Sequence, residues 1–288
     1  MTTNALKRIG ILANHVSAST GSGRLDGKVC IVTGAGSGIG RASASAFAKQ
    51  GARVVCSDIN QDGLDETIKM IKDQGFQQVR AIVCDTSKHE QVEQLVEFCV
   101  KEFGGVDVCF ANAGVVGFGS FMDQDPDELE RIFKVNVIGV FNCFKSVAQR
   151  MVDAGTSGSL IATASVAGVK SGAGDMAYSA SKAAVINMCE TIANQLTGKN
   201  IRCNAICPGL IETGMTKVIF DIADSKGNRS KVGQLNPLLR YGHPDEIANV
   251  ALFLASDESS YVNGQAIRVC GGLTSSLPVA RRGYLRYG

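Results

Sequence analysis

Apolar residues gather along this chain in short unbroken runs rather than in alternation. The first reads VCIVT at 29–33, between Gly27 and Gly34. Comparable runs follow at 53–57, 79–83, 106–111, 160–163, 201–206 and 266–269. A short, mostly apolar run between turn signals fits a strand covered on both faces, as in a parallel sheet flanked by helices. Helical stretches separate the runs, beginning with the small-residue segment RASASAFAKQ at 41–50. Asp125-Pro126 and His243-Pro244 mark helix starts, with proline at the first helical position. Seven strands alternating with helices predict an α/β fold, a Rossmann-like doubly wound parallel sheet with helices on both faces. The helical stretches at 135–151 and 179–196 hold more apolar positions than one buried face needs, which predicts contacts between subunits. No apolar stretch reaches the ~18 residues of a membrane span.

At 288 residues the chain is long enough for one large domain with a full core. We place that domain at 25–272, between an N-terminal extension at 1–24 and a tail at 273–288. The net charge of +2 hides an asymmetry. Lys7, Arg8 and Arg24 sit in the extension and Arg281, Arg282 and Arg286 in the tail, with no acid in either, so the part between them is acidic. Nothing there suggests a nucleic-acid surface. The ten cysteines include no CxxC pair, and His15, His89 and His243 lie apart from them. These spacings provide no metal site, and buried, reduced thiols in the cytoplasm fit best. The extension is basic, acid-free and rich in Ser, Thr and Ala, which leaves a mitochondrial transit peptide as the alternative location.

The turn after the first run reads TGAGSGIG at 33–40. Gly34 permits a tight bend, Gly38 lets backbone approach a pyrophosphate, and Gly40 lets the following helix pack on the strand. Ser37 and Ile39 complete the turn, whose free amides face the phosphates. No Gly-Lys-Ser/Thr follows, so this is not a P-loop. Asp58 ends the second run, 18 residues after Gly40. A carboxylate there meets a ribose 2′-hydroxyl favourably and a 2′-phosphate unfavourably, so NAD is the expected cofactor. Ser37 occupies a place where a basic residue would have met that phosphate.

Far downstream, Ser165, Tyr178 and Lys182 lie within SVAGVKSGAGDMAYSASK. Tyr178 and Lys182 are four apart on a helix and share a face. A free phenol titrates near pH ~10 and is a poor base at neutrality, but a neighbouring ammonium favours the phenolate. Tyr178 then exchanges a proton with an alcohol or ketone oxygen, and Ser165 hydrogen-bonds that oxygen.

With these residues in view the chain resembles the short-chain dehydrogenase/reductase family over about 25–272. Beyond the glycine turn and the Tyr-x3-Lys pair, Cys84-Asp85-Thr86 resembles the family's adenine-contacting turn. Asn112-Ala113-Gly114 is similar to its motif after the fourth strand. Asn136 matches its catalytic asparagine, and Pro208-Gly209 through Ile211 to Thr213 resembles the segment touching the nicotinamide carboxamide. The resemblance implies that Asp85, Thr86, Asn112, Ala113, Gly114, Pro208, Gly209, Ile211 and Thr213 contact the cofactor along with Tyr178 and Lys182. It also implies that Asn136 holds a water linking Lys182 to solvent, and that 135–151 and 179–196 pair between subunits of a homotetramer. Two positions depart from the pattern: Ala164 precedes the serine, and Cys270 stands where Val-Asp-Gly-Gly has its acid.

The function expected is an NAD-dependent oxidoreductase interconverting a secondary alcohol and a ketone. The alternatives are a non-catalytic dinucleotide sensor, which has no need of both Tyr178 and Lys182, and a related dehydratase or epimerase, for which the chain has little spare length. Segments 115–121, 166–176 and 215–239 are expected to line the substrate pocket. The lack of Arg or Lys at Met176, Met215, Ile219 and Phe220 points to an uncharged substrate. The polar, poorly patterned stretch 221–236, inside a substrate loop at ~213–239, is expected to form a mobile lid. Tyr284, Leu285 and Tyr287 predict that the tail docks on a neighbouring subunit near its cleft.

Overall fold

The computed structural model describes residues 23–276. Strand β1 (Val29–Thr33) is buried along its whole length, as its composition requires. It is followed by α1 (Gly38–Lys49), β2 (Arg53–Asp58), α2 (Gln61–Asp73), β3 (Val79–Val83), α3 (His89–Phe103) and β4 (Val108–Ala111). Next come α4 (Pro126–Phe133), a π-helical stretch (Lys134–Ile138) and α5 (Gly139–Ala154). The order ends with β5 (Gly158–Thr163), α6 (Met176–Gln195), β6 (Ile201–Pro208), α7 (Lys217–Ser225), α8 (Pro244–Ala255) and β7 (Ala266–Val269).

The seven strands form one sheet in the order β3-β2-β1-β4-β5-β6-β7, every pair parallel. Alternate residues of each strand serve opposite faces. On β1, Val29 and Ile31 join Leu95 of α3, Phe144 of α5 and Val185 of α6 in one core layer. Cys30 and Val32 join Phe47 of α1, Leu64 of α2 and Ile247 of α8 in the other. The chain reverses direction across the sheet between β1 and β4, so the loops after their carboxyl ends part and leave a crevice.

Several boundaries differ from the sequence reading. β4 starts at Val108, not 106; just before it the Asp107 carboxylate accepts the Val29 amide at 2.8 Å. α1 starts at Gly38, inside the glycine turn, so its first free amides belong to the turn itself. The stretch expected to be a lid from 221 is partly regular. α7 is held by Phe220, which is buried and stacks edge-on against Tyr241 with ring centroids 4.8 Å apart. A Lys217–Asp221 pair one turn apart supports it. The extension up to residue 22 and the tail from residue 277, with the transit-peptide and docking expectations placed on them, lie outside the described residues. Among the described residues no helix is long and apolar enough to cross a membrane.

Candidate active site

The glycine turn has the geometry its residues were selected for on physical grounds. Gly38 adopts φ +49°, and a Cβ there would lie 3.2 Å from the Thr213 methyl across the crevice. A Cβ on Gly40 would fall 2.0 Å from the Gly34 carbonyl oxygen, so this residue seals the turn against α1 and does not line the crevice. Ser37 is the N-cap of α1 but makes no capping bond with its side chain, which leaves the first-turn amides free. Thr33 Oγ1 accepts the amides of Asn112 (3.0 Å) and Ala113 (3.1 Å). Asn112 Oδ1 accepts from Thr163 Oγ1 at 2.9 Å, which ties the ends of β1, β4 and β5 together. Asp58 ends β2 beside the turn: Oδ2 accepts the Gly36 amide at 2.9 Å and Oδ1 the Asn60 amide at 3.0 Å. Asp85 accepts the Ser87 amide at 2.9 Å and folds the turn that carries Thr86.

Arg41 went unnoticed in the sequence. Its guanidinium donates to the Gly36 carbonyl, to Thr67 Oγ1 (2.9 Å) and to Glu66 (2.7 Å), so it braces the glycine turn from behind. A basic residue one turn into a helix has no spacing signal, because its partners come from α2.

Ser165 follows β5, and its Oγ accepts the Ala167 amide at 3.1 Å. Asp175 caps α6 by accepting the Tyr178 amide at 3.0 Å. Lys182 is buried one turn further along, where its Nζ donates to the Thr163 carbonyl at 2.7 Å and lies 5.6 Å from the centre of the Tyr178 ring. Among the described residues no carboxylate pairs with it, and burial lowers its pKa to about 8. Tyr178 shifts the other way. Burial raises its pKa above the ordinary value, a hydrogen bond with Ser165 opposes the rise, and the Asp175 charge adds to it. Desolvation outweighs the Ser165 hydrogen bond, so burial favours the protonated phenol.

Asn136 occupies the π-helical stretch and is fully buried. Its Oδ1 accepts the Val115 amide at 2.8 Å, and its Nδ2 donates to the Val115 carbonyl (2.9 Å) and to Ser181 Oγ (3.0 Å). Both side-chain N–H groups are thus committed to bracing the β4 exit against α6. Asn136 stands behind the cavity wall, close to Lys182: a Cβ on Gly114 would lie 3.2 Å from Asn136 Oδ1 and 3.4 Å from Lys182 Nζ.

One cavity of about 550 Å³ runs along the crevice. It joins Gly34, Ser37, Gly38, Ile39, Asp58, Asp85 and Thr86 at one end to Ser165, Tyr178 and Lys182 at the other. Asn112, Ala113, Gly114, Pro208, Ile211 and Thr213 line the stretch between. Gly209 lies off the cavity, packed on the Cys270 backbone, where a Cβ would come within 2.9 Å of the Cys270 Cα. Sequence reading missed Arg131 and Lys134 on the wall. Both are already paired on their own helical stretch, with Glu128 and Glu130 at 2.6 Å.

The residues present fit a dinucleotide. Gly38, with no side chain, faces Thr213 across a cleft, a carboxylate stands at the β2 end, and the first-turn amides of α1 carry no side-chain cap. All nine buried cysteines are free thiols, and among the described residues no cluster of three or more His, Cys, Asp or Glu could hold a metal ion.

A dinucleotide-type crevice that opens onto a Ser-Tyr-Lys group defines an α/β oxidoreductase. A family model described as enoyl-(acyl carrier protein) reductase matches residues 34–274. The 3-oxoacyl-[acyl-carrier-protein] reductase FabG of Thermotoga maritima is 40% identical over 87% of this chain and 99% of its own length. The L-rhamnose-1-dehydrogenase of Scheffersomyces stipitis is 37% identical over 89% of this chain and 99% of its own. The crystal structure of levodione reductase superposes with a TM-score of 0.83 at 32% identity, covering 88% of this chain and all of that one. The chain belongs to the short-chain dehydrogenase/reductase family.

Proposed function

We propose that the protein is an NAD(H)-dependent oxidoreductase that interconverts a secondary alcohol and a ketone. The observation that carries this reading is the single cavity joining the dinucleotide cradle to Ser165, Tyr178 and Lys182. The nicotinamide cofactor, when bound, supplies or accepts the hydride. The chain's residues manage the oxygen and its proton. Ser165 donates a hydrogen bond to the substrate oxygen and stabilises its developing charge. Tyr178, held protonated by burial, gives its proton to that oxygen as the ketone is reduced. In the other direction its phenolate takes the alcohol proton. Lys182, an ammonium below pH about 8, stands where it can favour that phenolate. Asp58 supports NAD over NADP, because its carboxylate lies at the cradle's β2 end.

Tyr178→Phe tests the assignment. It deletes the exchanging oxygen and keeps the ring. We expect turnover to fall at least ~100-fold while NADH still binds, as read by steady-state rates and cofactor titration. Activity within tenfold of the parent removes Tyr178 from the acid/base role.

A further inference from the structure

Among the described residues seventeen large apolar side chains are exposed, and twelve of them fall in three short segments. Phe118, Phe121 and Met122 follow β4, Val169 and Met176 follow β5, and the remainder lie at 215–239 after β6. β4, β5 and β6 are parallel neighbours, so all three segments leave the same end of the sheet, the end that holds Ser165 and Tyr178. Scattered exposed apolar residues need no explanation, but a concentration at the mouth of a cavity does.

Helix α7 shows the arrangement most plainly. Phe220 is turned inward and buried, so one side of the helix already has its packing partner. Val218, Ile219 and Ile222 form a second apolar face that stays exposed, and Met215, in the single turn just before the helix, is exposed as well. Met215 also lines the catalytic cavity, so the segment that carries this face begins at the cavity. Several of the charged side chains around this mouth are already partnered within the chain. Arg131 pairs with Glu128, Lys217 with Asp221, and Arg229 with Glu212 and Asp224. Lys170 donates to the Leu273 carbonyl at 3.1 Å. These contacts engage four cations that could otherwise recognise a phosphate or carboxylate, and the side chains exposed beside them are apolar.

We infer that the substrate carries its ketone or hydroxyl on a large neutral apolar body, an alkyl chain or fused rings, that lies along this mouth between α7 and the segment after β4. The inference rests on the alcohol/ketone reading of the site. A second copy of the chain is the rival occupant. The substrate is favoured because Met215 both lines the Tyr178 cavity and is exposed, so the apolar surface is continuous with the site of the chemistry.

The test uses the full chain and a series of linear methyl ketones from butan-2-one to nonan-2-one. Affinity is measured by calorimetry with NAD+ present, where reduction cannot proceed, and kcat/KM is measured separately with NADH. Both are expected to improve about three- to fourfold per added methylene over the first members. The double variant Ile219→Ser with Ile222→Ser is expected to flatten that dependence. A Kd independent of chain length overturns the inference even if the short ketones turn over. So does a change in oligomeric state of the double variant on light scattering, which gives the face to a second copy. A steep dependence of Kd with no turnover of any ketone or alcohol supports the apolar site and overturns the alcohol/ketone reading instead.

Discussion

Asp58 and Asp175 are both carboxylates, and their surroundings give them different work. Asp58 accepts two backbone amides at the rim of the cradle, so its negative charge is fixed in place before any ligand arrives. We expect NADH to exceed NADPH in kcat/KM, and Asp58→Ala to narrow the ratio by at least ~10-fold. Equal efficiencies in the parent would refute the assignment. Asp175 acts on Tyr178 through the helix cap. One oxygen accepts both the Tyr178 amide and Gln124 Nε2 (3.1 Å), and the other is buried without a hydrogen-bond partner. Its charge disfavours the phenolate and so raises the phenol pKa. Asn caps a helix as well as Asp does. Asp175→Asn should therefore keep the fold and lower the Tyr178 pKa. The rising limb of alcohol oxidation, where the phenolate is the base, then moves to lower pH. A limb that stays put, or moves up, separates Asp175 from Tyr178.

At the scale of elements, the helical starts at Pro126 and Pro244 were legible because proline and a capping residue act within a few residues. The π-helical stretch after α4 was not. It places Asn136 between Val115 and Ser181, and those partners come from a loop and a helix far away in sequence. α5 keeps Phe141 exposed at 44%, and Ile138 just before it at 45%, although both lie in an otherwise apolar stretch. Their exposure supports the expected pairing of subunits along α5 and α6. Light scattering at micromolar concentration should give a homotetramer, and Phe141→Glu should shift it to smaller species. A parent that is monomeric ends this reading.

For the whole molecule the decisive contacts are those between sheet and helices. Phe110 in the middle of β4 is fully buried, with its ring centroid 6.5 Å from that of Phe47 on α1. Phe110→Ala should cost about 3–5 kcal/mol of stability, read from the midpoint of chemical denaturation. A loss below ~1 kcal/mol would mean that the core relaxes into the space.

The apolar runs by themselves determined seven strands, the five central ones largely buried, and the helices between them. Each signal is local: a strand covered on both faces must be apolar throughout, and a turn that bends sharply must carry glycine. The same locality made Gly38, Asp58, Tyr178 and Lys182 recognisable. What only the tertiary structure decided is which of these groups share a space and how they titrate. Gly40, Gly209 and Asn136 lie behind the cavity, Arg41 braces the glycine turn, and Arg131 on the cavity wall is already paired. The Tyr178 pKa rises although Lys182 is close, because desolvation depends on every neighbour that excludes water, and those neighbours come from distant parts of the chain.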